Sequence, residues 1–145
     1  MNDIDVRIVD TERGREDAFA VRQAVFVDEQ GVDEDVEYDK HDETAVHFVA
    51  YDGDEPVGAA RLREYEDGVG KVERVAVLES RREAGVGRAL MASLEERADA
   101  RSFTELKLHS QTRAADFYRR LGYERHGEEF EEAGIPHVEM RKALD

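Results

Sequence analysis

At 145 residues the chain fits one domain and can bury one hydrophobic core without disulfide or metal staples. Its 36 acidic and 21 basic residues give a net charge of −15, which repels polyanions and argues against a nucleic-acid partner. There is no cysteine, which excludes disulfides, thiolate metal sites and an acyl-cysteine intermediate.

Asp5 to Asp10 alternates around Val6 and Ile8 and predicts an edge strand. From Thr11 to Phe26 the period changes, with Ala18, Val21 and Val25 at the spacing of an amphipathic helix. Asp28 to Glu43 is acidic, holds Gly31 and few large apolar residues, and reads as a loop or broken helix. Ala45 to Tyr51 is a strand, Asp52-Gly53-Asp54-Glu55 a turn, and Pro56 to Arg63 the hairpin partner. After a turn at Glu66-Asp67-Gly68, the Val-rich run Lys71 to Leu78 predicts a third central strand. Arg81 to Arg88 then runs into a helix from Ala89 to Arg101, whose stripe is Val86, Leu90, Leu94 and Ala98. Glu105 to His109 is a short strand with Leu106 and Leu108 on one face. Thr112 to Leu121 is a helix with Ala114, Phe117, Tyr118 and Leu121 on one face, stopped by Gly122. Tyr123 onward is extended, with a turn at Gly134-Ile135-Pro136 and a last strand from His137 to Leu144. The order β-α-β-β-β-α-β-α-β-β, without repeats or linkers, predicts a single mixed α/β domain over residues 1–145.

No apolar run approaches the ~20 residues of a membrane span. The start, Met1-Asn2-Asp3-Ile4-Asp5, is acidic and lacks the apolar core of a signal peptide, so the expectation is a cytoplasmic protein without a membrane partner. The acid excess has two readings that can hold together: a solvated acidic coat of the kind halophiles carry, or a site that attracts cations.

The informative segment is Val75-Ala76-Val77 followed by Arg81 to Arg88. A strand feeds a glycine-containing loop that opens a helix. The first amides of a helix lack internal partners and the helix dipole adds positive charge there, which suits phosphate. Gly85 and Gly87 remove the Cβ that would hold a ligand off the backbone. Arg81, Arg82 and Arg88 add cations opposed only by Glu83. The spacing matches neither a Walker loop nor a dinucleotide fingerprint. An ordinary helix start with flexible glycines remains the competing reading of the loop taken alone.

The second half of the chain carries a linked pattern: Arg82-x-x-Gly85-x-Gly87, a helix, a strand, then Gln111-x-x-Ala114-x-x-Phe117-Tyr118-x-x-Leu121-Gly122-Tyr123. It resembles the GNAT acetyltransferase superfamily. Arg22 to Gln30 near the start and Phe130 to His137 near the end are similar to its ElaA-like subgroup, and the resemblance runs from about Val6 to Met140.

The resemblance implies the acyl-CoA N-acyltransferase fold: a mostly antiparallel sheet splayed between its fourth and fifth strands, flanked by helices, with acetyl-CoA in the gap as co-substrate. It implies that the backbone of Val75, Ala76 and Val77 pairs with the pantetheine arm. The amides of Arg82, Glu83, Ala84, Gly85, Val86, Gly87 and Arg88 would hold the diphosphate. Gln111 stands where many members carry Asn and offers the same amide one methylene further out. Tyr118 aligns with the usual general acid, a phenol that can donate a hydrogen bond or proton to the leaving thiolate; a core aromatic at helical spacing is its bland alternative. The implied reaction is direct attack by an amine on acetyl-CoA in a ternary complex.

The amine must lose a proton first. Glu73 is the first candidate base, because it precedes Val75 and Val77 by two and four residues and so shares their face in a regular strand. Glu29, His47 and His137 are further candidates on the acceptor side. His41, His47, His109, His126 and His137 show no paired spacing, and no metal is expected. The acceptor is expected to be a small primary amine. If Asp28 to Glu43 caps its cleft, cationic amines are favoured. The superfamily's default is a homodimer. A non-catalytic acyl-CoA-binding module and an interaction domain using the fold alone are the rival readings.

Overall fold

The computed structural model describes residues 4–144. The strands are β1 (Ile4–Ile8), β2 (Val46–Asp52), β3 (Glu55–Glu66), β4 (Val69–Val77), β5 (Glu105–Gln111), β6 (Glu124–Glu132) and β7 (Ile135–Ala143). The helices are α1 (Glu12–Arg22), α2 (Glu34–Glu37), α3 (Val86–Ala100) and α4 (Ala115–Arg120). The strands form one mixed sheet in the order β1-β2-β3-β4-β5-β7-β6. Only the β4–β5 pairing is parallel; every other neighbour is antiparallel.

The expected element order holds, with two local departures. The first helix does not run as α-helix to Phe26. It becomes a wider π-helical segment, Gln23–Glu29, closed by a Gln30 N–H to Val25 carbonyl bond of 3.1 Å. Wide turns of this kind occur often at functional sites, and this one delivers Glu29 and Gln30 to the site described below. The helix expected from Thr112 begins as a 3-10 turn, Thr112–Ala114, and is α-helical only over Ala115–Arg120.

Helices cover both faces of the sheet. On one, Val86, Leu90, Leu94 and Ala98 of α3 pack with Phe48, Leu62, Val72, Leu106 and Leu108, and Tyr118 and Tyr123 close the end. On the other, Ala18, Val21 and Val25 lie on Val49, Ala59 and Ala76. Burying each such Val or Leu contributes about 1.5–3 kcal/mol. The second layer reaches only as far as β4, so the same face of β5, β7 and β6 is left without a helix from that layer.

The acidic stretch after α1 is a broken helix, one of the two expected forms, and part of its charge is turned inward. Asp33 caps α2, its carboxylate accepting from Asp35 N–H at 2.8 Å. Asp39 and Asp42 form a capping box around a 3-10 turn, Lys40–Glu43. Several acids then face inward onto arginines. Arg22, 1% exposed, bonds Glu37 at 2.8 Å and Asp42 at 2.7 Å. Arg61, equally buried, bonds Asp39 at 2.8 Å, Asp42 at 2.9 Å and Glu73 at 2.7 Å. Arg74 adds contacts to Glu37 and Asp39 at 3.3 Å each. Three acids of this segment, Glu37, Asp39 and Asp42, are thus counter-charges of guanidinium groups, whereas Asp28, Asp33, Glu34, Asp35 and Glu43 stay exposed.

Asp42 gives that network a pH signature. Burial alone would raise its carboxyl, and the hydrogen bonds and charges of Arg22 and Arg61 outweigh it, bringing it down to about 2. An unfolded aspartate titrates near ~3.9. The stabilisation is therefore complete above pH ~4 and lost as the pH falls towards 2, worth about 2 kcal/mol. Urea midpoints measured from pH 5 to pH 2 should fall over that interval. Asp42→Asn should be less stable at pH 5 and should lose that part of the slope; an unchanged slope would remove Asp42 as its source.

Candidate active site

The site begins where two parallel strands part. β4 and β5 pair only from Val69 with Glu105 to Val72 with Leu108. Beyond that point β4 continues to Val77 and β5 to Gln111 with no strand between them. The edge of β4 that faces the gap keeps backbone groups that no strand satisfies, and an extended ligand can pair with them.

A bulge in β4 sets which side chains face which way. Arg61 lies opposite Glu73, and Ala59 opposite Ala76, so Arg74 and Val75 share the space opposite Ala60. Arg74 takes the left-handed conformation, φ 57°. The extra residue inverts the alternation. Val75 and Val77 pack with the α3 layer, whereas Ala76 packs with the α1 layer. Glu73, sharing the face of Ala76, is therefore on the opposite face from Val75 and Val77, contrary to the expectation from a regular strand.

At the head of α3, Gly85 is the N-cap with φ 85°. An L residue is strained there, so this glycine is required by its backbone angle; open space surrounds its missing Cβ. Gly87 serves differently: a Cβ there would stand 3.0 Å from the Phe117 ring, so its absence lets α4 pack on the first turn of α3. Beyond the local turns of the loop and helix, the backbone N–H groups from Glu83 to Arg88 donate to no side chain and to no distant backbone group among the described residues. They form a run of donors at the positive end of a 15-residue helix.

The three arginines of the loop differ. Arg81 pairs with Glu55 at 2.9 Å and Asp52 at 3.6 Å. Arg82 donates to the Val77 carbonyl at 3.1 Å and grips both oxygens of Glu29 at 2.7 Å each. Its hydrogen bond holds the Glu29 carboxyl below the usual carboxylate range. Arg88 has no ionic partner among the described residues. The loop is thus tied to β4 and to the π-helical segment by Arg82, and its uncompensated charge rests on Arg88 and the amides.

Past the fork lies a cavity of about 280 Å³ lined by Glu29, Gln30, Gln111, Thr112, Arg113, Ile135 and Pro136. Gln111 donates to the side-chain oxygen of Gln30 at 2.8 Å and accepts from Arg113 at 2.9 Å. The two end motifs and the start of the 3-10 turn before α4 therefore meet here. Tyr118 stands on the α3 side, 8% exposed, edge-on to Phe117 and Tyr123 at 5.0 and 5.9 Å. Its hydroxyl bonds to no described residue, and burial pushes the phenol above its ordinary value.

The remaining candidates have other surroundings. Burial would raise the Glu73 carboxyl, but Arg63, Arg61 and Lys71 outweigh it and hold it well below the usual range. His47 is 6% exposed on β2, donates from Nε2 to the Asp42 carbonyl at 2.8 Å, and belongs to the buried arginine network, not to the cavity. Burial lowers its imidazole. His137 lies opposite Gln111 on β7, donates from Nδ1 to the Ile135 carbonyl at 2.7 Å, and stacks on Phe130. Gln30, Arg113 and Ile135 were not candidates from sequence. Nor were His109 and Glu132, which the structure joins at 2.9 Å. The signal for His109 was present: alternation along β5 sets Lys107, His109 and Gln111 on the face opposite Leu106 and Leu108.

Among the described residues no helix is long and apolar enough to cross a membrane. The family model described as acetyltransferase (GNAT) domain matches residues 10–144. An uncharacterized N-acetyltransferase of Bacillus subtilis, YjcF, is 46% identical over 136 residues, covering 93% of this chain and 96% of the relative. A crystal structure of Escherichia coli ElaA superposes with a TM-score of 0.84 at 27% identity, over 98% of this chain and 99% of that one. An acyl-CoA N-acyltransferase from Pseudomonas aeruginosa superposes equally well, TM-score 0.84, at 25% identity over 99% and 100% of the two chains. With its sheet forked between β4 and β5 and an amide-lined helix start beside the fork, the chain belongs to the GNAT acetyltransferase family.

Proposed function

We propose that the protein transfers an acetyl group from acetyl-CoA to the primary amine of a small molecule, by direct attack within a ternary complex. The observation that carries this reading is the run of amides from Glu83 to Arg88 at the head of α3, without distant partners and set beside the unpaired edge of β4. The amides and Arg88 take the diphosphate, and Arg82 keeps the loop in place through Val77 and Glu29. The backbone of Val75 to Val77 pairs with the pantetheine arm, and the Gln111 amide lies at the far side of the fork. Tyr118 serves the departing sulfur. Glu29, Gln30 and His137 border the acceptor's side. A backbone N–H near the β4 bulge is the donor for the oxyanion of the tetrahedral intermediate. With no cysteine in the chain, the acetyl group has no thiol to rest on.

Titration with CoA should raise the melting temperature. Ligand at 100 times its Kd adds about 2.7 kcal/mol, roughly 5–10 °C for a chain of this size. With acetyl-CoA and a panel of small amines, free thiol and acetylamine should appear in equal amounts. A thermal shift without thiol release would favour an acyl-CoA-binding module, and no shift at all would remove the reading.

A further inference from the structure

We propose that His109, held by Glu132, is the base that deprotonates the acceptor ammonium; the inference rests on the acetyl-transfer reading above. His109 is the first residue of β5 beyond the last parallel pair, as Glu73 is of β4. The two stand at the apex of the fork, on the face opposite the α3–α4 layer that holds Tyr118. Glu73 is occupied by three cations, whereas His109 keeps one ring nitrogen free. Its Nδ1–H donates to Glu132 Oε1 at 2.9 Å, because a carboxylate only accepts. In the neutral ring that bond fixes the tautomer and puts the lone pair on Nε2, which is bonded to no described residue, on a side chain 21% exposed.

The neighbours agree with this assignment. Glu139, opposite His109 on β7, is taken by Arg141 at 2.7 Å and approached by Lys107 at 3.6 Å. Lys71 is taken by Glu73 at 3.2 Å. His137 Nε2 lies 3.8 Å from the second oxygen of Glu132, and its Nδ1–H is given to a carbonyl. Phe130 sets its ring against both imidazoles, at 5.0 Å from His109 and 6.1 Å from His137. On this face β5, β7 and β6 lack the cover α1 gives to β2–β4, so a small amine can approach from solvent.

The proton accounting closes. His109 Nε2 takes one proton from the ammonium, and the freed nitrogen forms its bond to the thioester carbonyl carbon. The C–S bond breaks, the second nitrogen proton ends on the thiolate beneath the Tyr118 hydroxyl, and His109 returns its proton to water. Amine attack and thiolate departure then occur on opposite sides of the sheet.

The test uses the full chain with acetyl-CoA and an amine that the wild type acetylates. His109→Ala should lower kcat about 10²–10⁴-fold, leave the KM for acetyl-CoA within about twofold, and regain rate when free imidazole is added. Tyr118→Phe should gain nothing from imidazole. Glu132→Gln should lower kcat with unchanged CoA affinity, because an amide can direct its NH₂ at Nδ1 and shift the tautomer. Wild-type kcat in His109→Ala, or a loss that imidazole leaves untouched in a variant that still binds CoA, overturns the assignment. Should His109→Ala fail to fold, wild-type kcat in His109→Gln, which keeps a polar side chain of similar reach without a base, does the same. A wild-type protein that binds CoA and acetylates no amine overturns both this inference and the reading beneath it.

Discussion

Replacing Arg61 with Met should lower the unfolding free energy by about 3–5 kcal/mol, the usual cost of removing one partner from a buried ionic cluster. For a domain of this length that is roughly 6–20 °C in melting temperature. The guanidinium is 1% exposed and bridges Asp39, Asp42 and Glu73, three carboxylates from two distant parts of the chain. Methionine fills much of the volume and supplies no donor. Asp42 keeps Arg22, and Glu73 keeps Arg63 and Lys71, so neither is stranded and the loss belongs in the lower half of the range. Two further results separate a charge effect from a packing effect. The acid-side fall in stability assigned to Asp42 should be smaller in Arg61→Met and should end at a higher pH, because losing Arg61 raises the folded-state carboxyl towards its unfolded value. Adding Glu73→Gln should recover part of the loss. A penalty that neither measurement alters would mean that packing, not charge, accounts for Arg61.

This cluster also shows where reading the chain stops. Among the nine acids of Asp28 to Glu43, the three that turn inward, Glu37, Asp39 and Asp42, were not legible because their partners are remote: Arg22 lies before them, and Arg61 and Arg74 well after them. No local pattern links these positions; only the packing of α1 and the Lys40–Glu43 turn on β3 and β4 does. By contrast, the loop at the head of α3 was legible, because its signal is local: Gly85, Gly87 and the arginines lie within the eight residues Arg81 to Arg88. The strands of the sheet were legible for the same reason, through alternation at Phe48, Leu62, Val72 and Leu106.

The bulge in β4 is the instructive failure. Arg74 adopts φ 57° without the glycine or asparagine that would announce it. The conformation is imposed by register, with Arg74 bonding the Glu37 carbonyl at 3.2 Å and Asp39 at 3.3 Å. One inserted residue moved Glu73 to the other face. The role assigned to Glu73 from a regular strand rested on that single parity. What the bulge leaves at the apex is a carboxylate committed to three cations and, across the fork, an imidazole committed to one carboxylate.

Tyr118→Phe should lower kcat about 10²–10³-fold, equivalent to roughly 3–4 kcal/mol of transition-state stabilisation, while the KM for acetyl-CoA and the melting temperature stay near wild type. The stability half of this expectation follows from the surroundings. The hydroxyl makes no hydrogen bond to a described residue, so its removal breaks none and leaves the ring contacts with Phe117 and Tyr123 in place. An aromatic retained only for packing would therefore tolerate the change in both measurements. The catalytic half follows from acidity. Burial raises the phenol above its ordinary value, so it is protonated throughout the working range. It is also a far weaker acid than a thiol, whose reference value is about 8.5. In the proposed reaction Tyr118 would therefore stabilise the developing thiolate by hydrogen bonding, with the attacking nitrogen supplying the proton that the sulfur finally keeps. A better leaving group needs that hydrogen bond less. The penalty of Tyr118→Phe should accordingly shrink with an acyl donor whose thiol is more acidic than CoA, and a penalty independent of the thiol would place Tyr118 outside the departure step.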